Sequence, residues 1–454
     1  RDLVRSRGLG DVYKRQDKNI YDYHWYTGQY DYTTIQGGSS KSFVDDYLRK
    51  YKQHTNYNSI NVYATYNKDF GNHHFKVMAG FNQESSYQET LDTYSYNQAV
   101  LDVPAMSSGT GTIKATDSYS EYAIRGGFFR VNYNYLDKYL LEVNGRYDGS
   151  SKFPKSSRFG FFPSVSAGWQ IAQERFMNST RHWLDGLKLR ASYGVIGNQN
   201  INPYTFTPSM SVNNKATSWI IDDTYVTSIS SLPALVSQNF TWEKVGTINV
   251  GLDVNLFNNR LSGVFEWYQR NTNGMLAPGV QLPAVVGASA PYQNTADMRT
   301  RGWELSLNWR DQIGKVGYRI GFNLSDYKSE IIKYDDNAAT KLLSSYYPGQ
   351  TLGEIWGYVV DGYYTVDDFV DTSSWQLKEG VTSINGYNVR PGDVKFKNLR
   401  DDDTSTNVIT SGDNTFDNPG DRKVIGNTTP RYQYGINLGM NYAGFDLNVI
   451  CLLY

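Results

Sequence analysis

The chain has 454 residues, 44 Lys+Arg against 45 Asp+Glu, a single Cys and a mean hydropathy of −0.55. A formal charge of −1 supplies no basic field for nucleic acid, and one Cys excludes a disulfide framework or a CxxC metal site. No window reaches 18 consecutive apolar residues, which excludes a membrane-spanning helix but not a membrane-spanning barrel, whose alternating strands average out as hydrophilic.

Residues 1–16 lack an initiator Met, an apolar signal core and strand alternation. They resemble translated sequencing-library adapter, as do Cys451, Leu452, Leu453 and Tyr454. Both ends are expected to be non-native, leaving 17–450 as the native stretch.

Apolar and polar residues alternate with period two from about residue 58 onward. Ile60, Val62 and Ala64 come first, then Phe75, Val77, Ala79 and Phe81, then Phe129, Val131, Tyr133 and Tyr135. Tyr139, Leu141, Val143 and Tyr147 follow, then Val165, Ala167, Trp169 and Ile171, then Leu187, Leu189, Ala191, Tyr193 and Val195. Further sets are Ile248 to Val254, Leu261 to Trp267, Trp303 to Trp309, Tyr318 to Leu324 and Tyr432 to Met440, with Phe445, Leu447 and Val449 beginning a twelfth strand. Successive strand side chains point to opposite faces, so each segment has one apolar and one polar face. The polar face carries Arg130, Glu142, Arg146, Lys188, Arg190, Glu266, Arg270, Glu304, Arg310 and Arg319, a set that suits a wet or plugged lumen.

Connections alternate short and long. Tight turns fall at 68–72, 136–138, 257–260, 311–315 and 442–444, and long polar stretches near 83–119, 149–161, 196–241, 271–301 and 326–430. The connection at 173–186 is of medium length where a short turn is expected. Strict alternation puts every long loop at one end of an up-and-down sheet, as in outer-membrane barrels. Aromatics near strand ends, such as Tyr133, Tyr139, Trp267, Trp303 and Trp309, suit girdles at the membrane interfaces. The fold expected is all-β: part of a transmembrane antiparallel up-and-down β-barrel of about twelve strands, without a plug domain. A soluble carbohydrate-binding β-sandwich or a passive porin or adhesin barrel are the alternatives.

Catalytic signatures are missing. There is no G-x-S-x-G, H-E-x-x-H or GxxxxGK[ST], and the adjacent His73 and His74 point to opposite faces of a strand. No catalytic residue, cofactor or metal ligand is expected. The acidic stretch 401–421 tempts a calcium reading, but counting from Asp401 puts Thr406 where a Gly is needed and Gly412 where an acid is needed. Loop aromatics remain as candidate ligand contacts, because a flat ring stacks on a sugar face or packs an apolar peptide side chain. They are Trp219, Tyr346, Tyr347, Trp356, Tyr358 and Trp375, with Tyr363 and Tyr364 beside them.

Several phrases then become recognisable. RYDGSSKF over 146–153 and RFGFFPSVSAGW over 158–169 resemble the SusC/RagA-like TonB-dependent transporters. So do LKLRASYGVIGNQ over 187–199, Trp242 to Lys244, NVGLD over 249–253, FNNRL over 257–261, and Leu282 with Pro283. RGWE over 301–304, EIWGY over 354–358, PGD over 391–393 and GFD over 444–446 complete an ordered series across most of 120–450. The resemblance implies an outer-membrane importer of oligosaccharides or peptides in a Bacteroidota-like bacterium. It would work with a SusD-like surface lipoprotein and with TonB acting through a plug. It implies no enzyme and no nucleic-acid partner. It departs from the family after Pro391 to Asp393, where Asn398 to Asp403 lacks the Gly of a calcium-like loop. Nothing in the sequence resembles the plug or the TonB-contacting box, so the chain reads as about half of a barrel of roughly 22 strands.

Overall fold

The structure, a computed structural model, describes every residue except 1–9, 25–46, 98, 100–104, 211, 214–219, 222–223, 226–228, 231–232, 238–239, 281, 338–341, 343–345, 372, 401–406 and 454. One antiparallel sheet of thirteen strands dominates it. We number them β1 (Gly10–His24), β2 (Tyr47–Phe70), β3 (His73–Tyr96), β4 (Ile113–Tyr135), β5 (Tyr139–Ser150), β6 (Phe159–Gln170) and β7 (Leu184–Asn198). Then come β8 (Glu243–Leu256), β9 (Leu261–Pro278), β10 (Tyr292–Ile313), β11 (Val316–Tyr334), β12 (Gln433–Tyr442) and β13 (Phe445–Leu453). Each strand pairs with the next in chain order, so the wall is a continuous up-and-down meander. A β-sandwich would need two packed sheets, and a single sheet this wide rules that alternative out.

Register makes the alternation coherent. Directly opposed residues share a face, and the row Phe75, Tyr133, Leu141, Ala167, Ala191, Val250, Trp267 and Trp303 runs unbroken from β3 to β10. The apolar face is exposed along its whole width: Val62 at 45%, Leu141 at 42% and Leu438 at 43% are open in strands that bury almost nothing there. In water such a surface is untenable at this size. Against lipid it is the required face. Inner positions carry the polar row Asn67, Lys76, Asn132, Glu142, Ser166, Ser192 and Asn249.

The short turns fall where the pattern put them. Gly71 and Asn72, Leu136 to Lys138, Phe257 to Arg260, Gly314 and Lys315, and Ala443 and Gly444 close the near end. Phe257, Asn258 and Asn259 all take φ near +58°, a left-handed run that the neighbouring strands hold in place. The medium connection at this end forms two short 3-10 turns, Ile171–Gln173 and Arg175–Thr180.

Four boundaries differ from the sequence expectation. The strands β2 and β3 have 24 residues each and β4 has 23, against about 9–11 needed to cross a bilayer. Most of the stretch 83–119 is therefore strand rather than loop, a blade standing above the membrane with both faces wet, where apolar contrast fades. For the same reason β9 runs on to Pro278 and β10 starts at Tyr292, which leaves 279–291 as loop. The longest connection is 335–432 rather than 326–430, because β11 continues to Tyr334. Finally, β1 pairs with Tyr47–Asn61 and starts within the segment expected to be non-native, as β13 ends within the other.

Candidate functional site

At the long-loop end the connections 151–158 and 199–242 are knitted to the ends of β6, β7 and β9 by an aromatic core. Phe153, Phe162, Phe240 and Trp242 are all buried, and Val195, Ile201, Phe206 and Leu276 pack around them. Phe153 and Trp242 lie 5.0 Å apart between ring centroids, and Phe162 meets Trp242 edge-on at 5.2 Å. Polar groups lock the same junction: the Trp242 indole donates to the Arg158 carbonyl at 2.9 Å, and Thr241 Oγ1 donates to Ser157 O at 2.8 Å. Asn294 accepts from Thr241 N at 2.9 Å and donates back to Thr241 O at 3.0 Å. Gly197 has to be glycine, since a Cβ there would overlap the Phe162 ring. This rim cluster was not anticipated as a unit. Its signal was present in three separated phrases, 146–153, 158–169 and 242–244, whose meeting is a property of the fold.

The 335–432 connection is itself folded. Glu354–Tyr358 pairs with Arg422–Asn427, Val360–Tyr363 with Val394–Phe396, and Ser383–Ile384 with Val408–Ile409. Tyr364, Phe369 and Val389 form a second small core with Trp375, Leu377, Val381 and Ile384 against it. Asp421 is fully buried and accepts backbone N–H bonds from Leu399 at 2.7 Å, Arg400 at 3.0 Å and Thr410 at 2.8 Å. Its oxygens are thereby committed to bracing the loop. No group of three or more metal-ligating side chains occurs among the described residues.

The candidate ligand aromatics separate in this frame. Trp219 lies outside the described residues. Tyr347 is 1% exposed, its hydroxyl is bonded to Glu354 and receives the Trp356 indole N–H at 3.0 Å, and its ring packs on Phe416. It has no face left for a ligand in this arrangement. Trp356 shares the same network, Tyr358 meets Phe396 in a tilted contact at 5.4 Å and Trp375 meets Phe369 at 5.5 Å, all three partly buried. Tyr346, 47% exposed and edge-on to Tyr334, keeps an open face. Of the two further candidates, Tyr363 is exposed and Tyr364 is buried, and exposed rings that the sequence reading passed over are Tyr387 and Phe416.

Two polar surfaces lead inward from these loops. On the blade, Arg49 forms a two-pronged bond to Asp92 at 2.9 Å and lies over the Tyr51 and Tyr94 rings. The Arg49 bond holds the Asp92 carboxyl below its ordinary range, against the smaller effect of burial. Tyr51, Gln53 and Thr55 continue along the same face in hydrogen-bonded succession. Within the wall, Arg190 bridges Asp253 and Glu266, and Asn249 donates to Glu266 at 3.0 Å. A recess of about 650 Å³ opens beside them, lined by Lys76, Asn132, Glu142 and Lys188 among others. The arrangement offers hydrogen-bonding groups and ring faces.

Comparison with known proteins agrees with this geometry. A family model described as the TonB dependent receptor-like β-barrel matches residues 3–450. TonB-dependent receptor P3 of Formosa agariphila is 29% identical over 93% of this chain and 40% of its own length. TonB-dependent receptor SusC of Bacteroides thetaiotaomicron is 32% identical over 61% of this chain and 27% of its own length. The RagAB peptide importer in its open-open state superposes with a TM-score of 0.75 at 21% identity, covering 97% of this chain and 44% of that one. The chain thus spans less than half the length of the relatives it matches. Its place is the bacterial outer membrane, and its family is one of receptors rather than enzymes. The chain belongs to the TonB-dependent receptor-like β-barrel family, with SusC among its relatives.

Proposed function

We propose that the protein containing this chain imports oligosaccharides or peptides across the outer membrane, driven through TonB and in partnership with a SusD-like surface lipoprotein. The observation that carries this is the paired set of surfaces: a continuous lipid-facing apolar band, and behind it a polar wall crowned by long, internally folded loops. A passive pore has no need of a 335–432 connection with its own core, whereas a receptor that must grip a lid and a cargo does. Tyr346 and the partly buried Trp356, Tyr358 and Trp375 supply ring faces at the mouth, and Trp219 falls between β7 and β8 in the sequence. The sheet edges β1 and β13 cannot face lipid unpaired, so further strands close the barrel. We take 17–450 as the native stretch of that barrel, and 1–16 and 451–454 as added sequence.

The test is purification of the full-length tagged receptor from its own membranes in mild detergent. A lipoprotein is expected to co-purify in equal amount, and mass spectrometry of the bound fraction is expected to show saccharide or peptide. A receptor that purifies alone and empty, at any loading, contradicts the reading.

A further inference from the structure

The outer face of the barrel changes character abruptly above β9 to β11. On β10 the lipid-facing positions Trp309, Leu307, Leu305 and Trp303 are followed, on the same face, by Arg301 and Arg299. On β11 the series Ile320, Phe322 and Leu324 gives way to Asp326, Lys328 and Glu330. Register places Arg301 directly opposite Lys328, and Arg299 opposite Glu330. Like charges opposed across two strands destabilise the pair unless something neutralises them. Lys244 on β8 and Arg431 before β12 extend the patch to either side, and Arg431 is taken by Asp326.

What remains, Arg299, Arg301 and Lys328 against Glu330, is net positive, and none of the four is held in an ion pair among the described residues. Arg299 forms no ion pair with Glu330, and its Nε is buried without a hydrogen-bond partner. Arg301 spends only its Nε, on Gln269 at 2.8 Å, and its side chain is exposed, as is that of Lys328. The patch begins one side-chain step beyond the opposed pair Trp267 and Trp303, which marks the upper aromatic girdle. That level is where phosphates of the surrounding leaflet lie. Two guanidinium forks two residues apart on one strand face, with an ammonium group directly opposite one of them, match a phosphate in charge and donor type.

We propose that Arg299, Arg301 and Lys328 form a site for a phosphorylated lipid headgroup of the outer leaflet, on the lipid-facing side of the wall and separate from the transport path. The headgroup phosphate supplies the counter-charge that the opposed Arg301 and Lys328 lack. Its acyl chains lie along Trp303, Leu305 and Phe265.

The test uses the full-length receptor and phosphatidylcholine vesicles doped with diphosphorylated lipid A or with the same lipid after removal of its phosphates. Native mass spectrometry and flotation read the lipid retained. Each basic side chain near an anionic surface contributes about fivefold, so the triple variant Arg299→Gln, Arg301→Gln, Lys328→Gln is expected to retain lipid A about a hundredfold less well. Lys315→Gln, on the short turn between β10 and β11 at the opposite end of the wall, is expected to leave retention unchanged. Heat-modifiable gel migration checks that the triple variant is folded. Should it fail that check, single Arg301→Gln and Lys328→Gln variants are each expected to lose about fivefold. The proposal is overturned if folded variants retain lipid A as the parent does, or if the dephosphorylated lipid is retained equally. It is also overturned if the variants lose a bound protein while lipid retention is untouched, which would make the patch a protein contact.

Discussion

Arginine placed at two adjacent residues of β10 separates the two faces of the wall most sharply. Leu307 lies between Trp303 and Trp309, with Gly263 and Phe322 as its cross-strand neighbours, so an arginine there projects into hydrocarbon. The cost of that placement near the bilayer midplane is about 2–4 kcal/mol. Ser306 points the other way, beside a groove of about 370 Å³ that includes Glu266, Glu304 and Asn323. An arginine at that position stays wet and gains two carboxylate neighbours, so its cost is about 0–1 kcal/mol. The assay is reversible urea unfolding of the full-length receptor from phospholipid vesicles, followed by tryptophan fluorescence. Leu307→Arg is expected to lower stability by about 2 kcal/mol or more relative to Ser306→Arg. Equal costs, or a greater cost for Ser306→Arg, would refute the assignment of faces.

Other outcomes follow from the loops. Phe153→Ala empties a fully buried ring site in the rim cluster, and a loss of about 3–5 kcal/mol is expected, read as faster protease cleavage in 199–242 with the barrel still heat-modifiable. Gly197→Ala is expected to destabilise through overlap with the Phe162 ring, and Phe162→Leu in the same chain is expected to relieve part of that loss. Asp421→Ala strands three backbone N–H groups in a buried position, so the 335–432 loop should become protease-sensitive by hydrogen exchange and nicking while wall strands keep their protection. The Asp92 carboxyl is held below its unfolded value of about 3.9, so the Arg49 pair contributes stability above that pH and loses it as pH falls through the folded value. With both partners partly solvated the contribution is under about 1 kcal/mol, visible as a blade melting temperature that falls as the solution is acidified below the ordinary carboxylate range, a dependence that Asp92→Asn abolishes.

The wall was legible in the sequence because lipid forces one face of every spanning strand to be apolar. Trp303, Leu305, Leu307 and Trp309 announce a face without any neighbour being known, and the same holds for eleven further strands. The blade was illegible for the converse reason. Gln83, Glu84, Ser85, Ser86, Tyr87 and Gln88 pair in register with 55–60, yet both of their faces meet water, so period two leaves no apolar trace. Ring positions in the long connection failed differently. Tyr346 and Tyr347 are identical residues side by side, and only the tertiary path decides that one ring is open and the other enclosed by Glu354, Trp356 and Phe416. Asp421 makes the same point for charge: an acidic run suggested solvent or a cation, and one of its members is a buried brace for three amides.

Energised import is the claim on which the functional account stands, and uptake measured with and without TonB tests it most directly. Cells carrying the full-length gene, offered the labelled saccharide or peptide recovered with the purified receptor, are expected to accumulate it only when TonB is present and the proton gradient is intact. Accumulation that continues at the same rate after TonB deletion or uncoupling would show a passive pore and contradict the account.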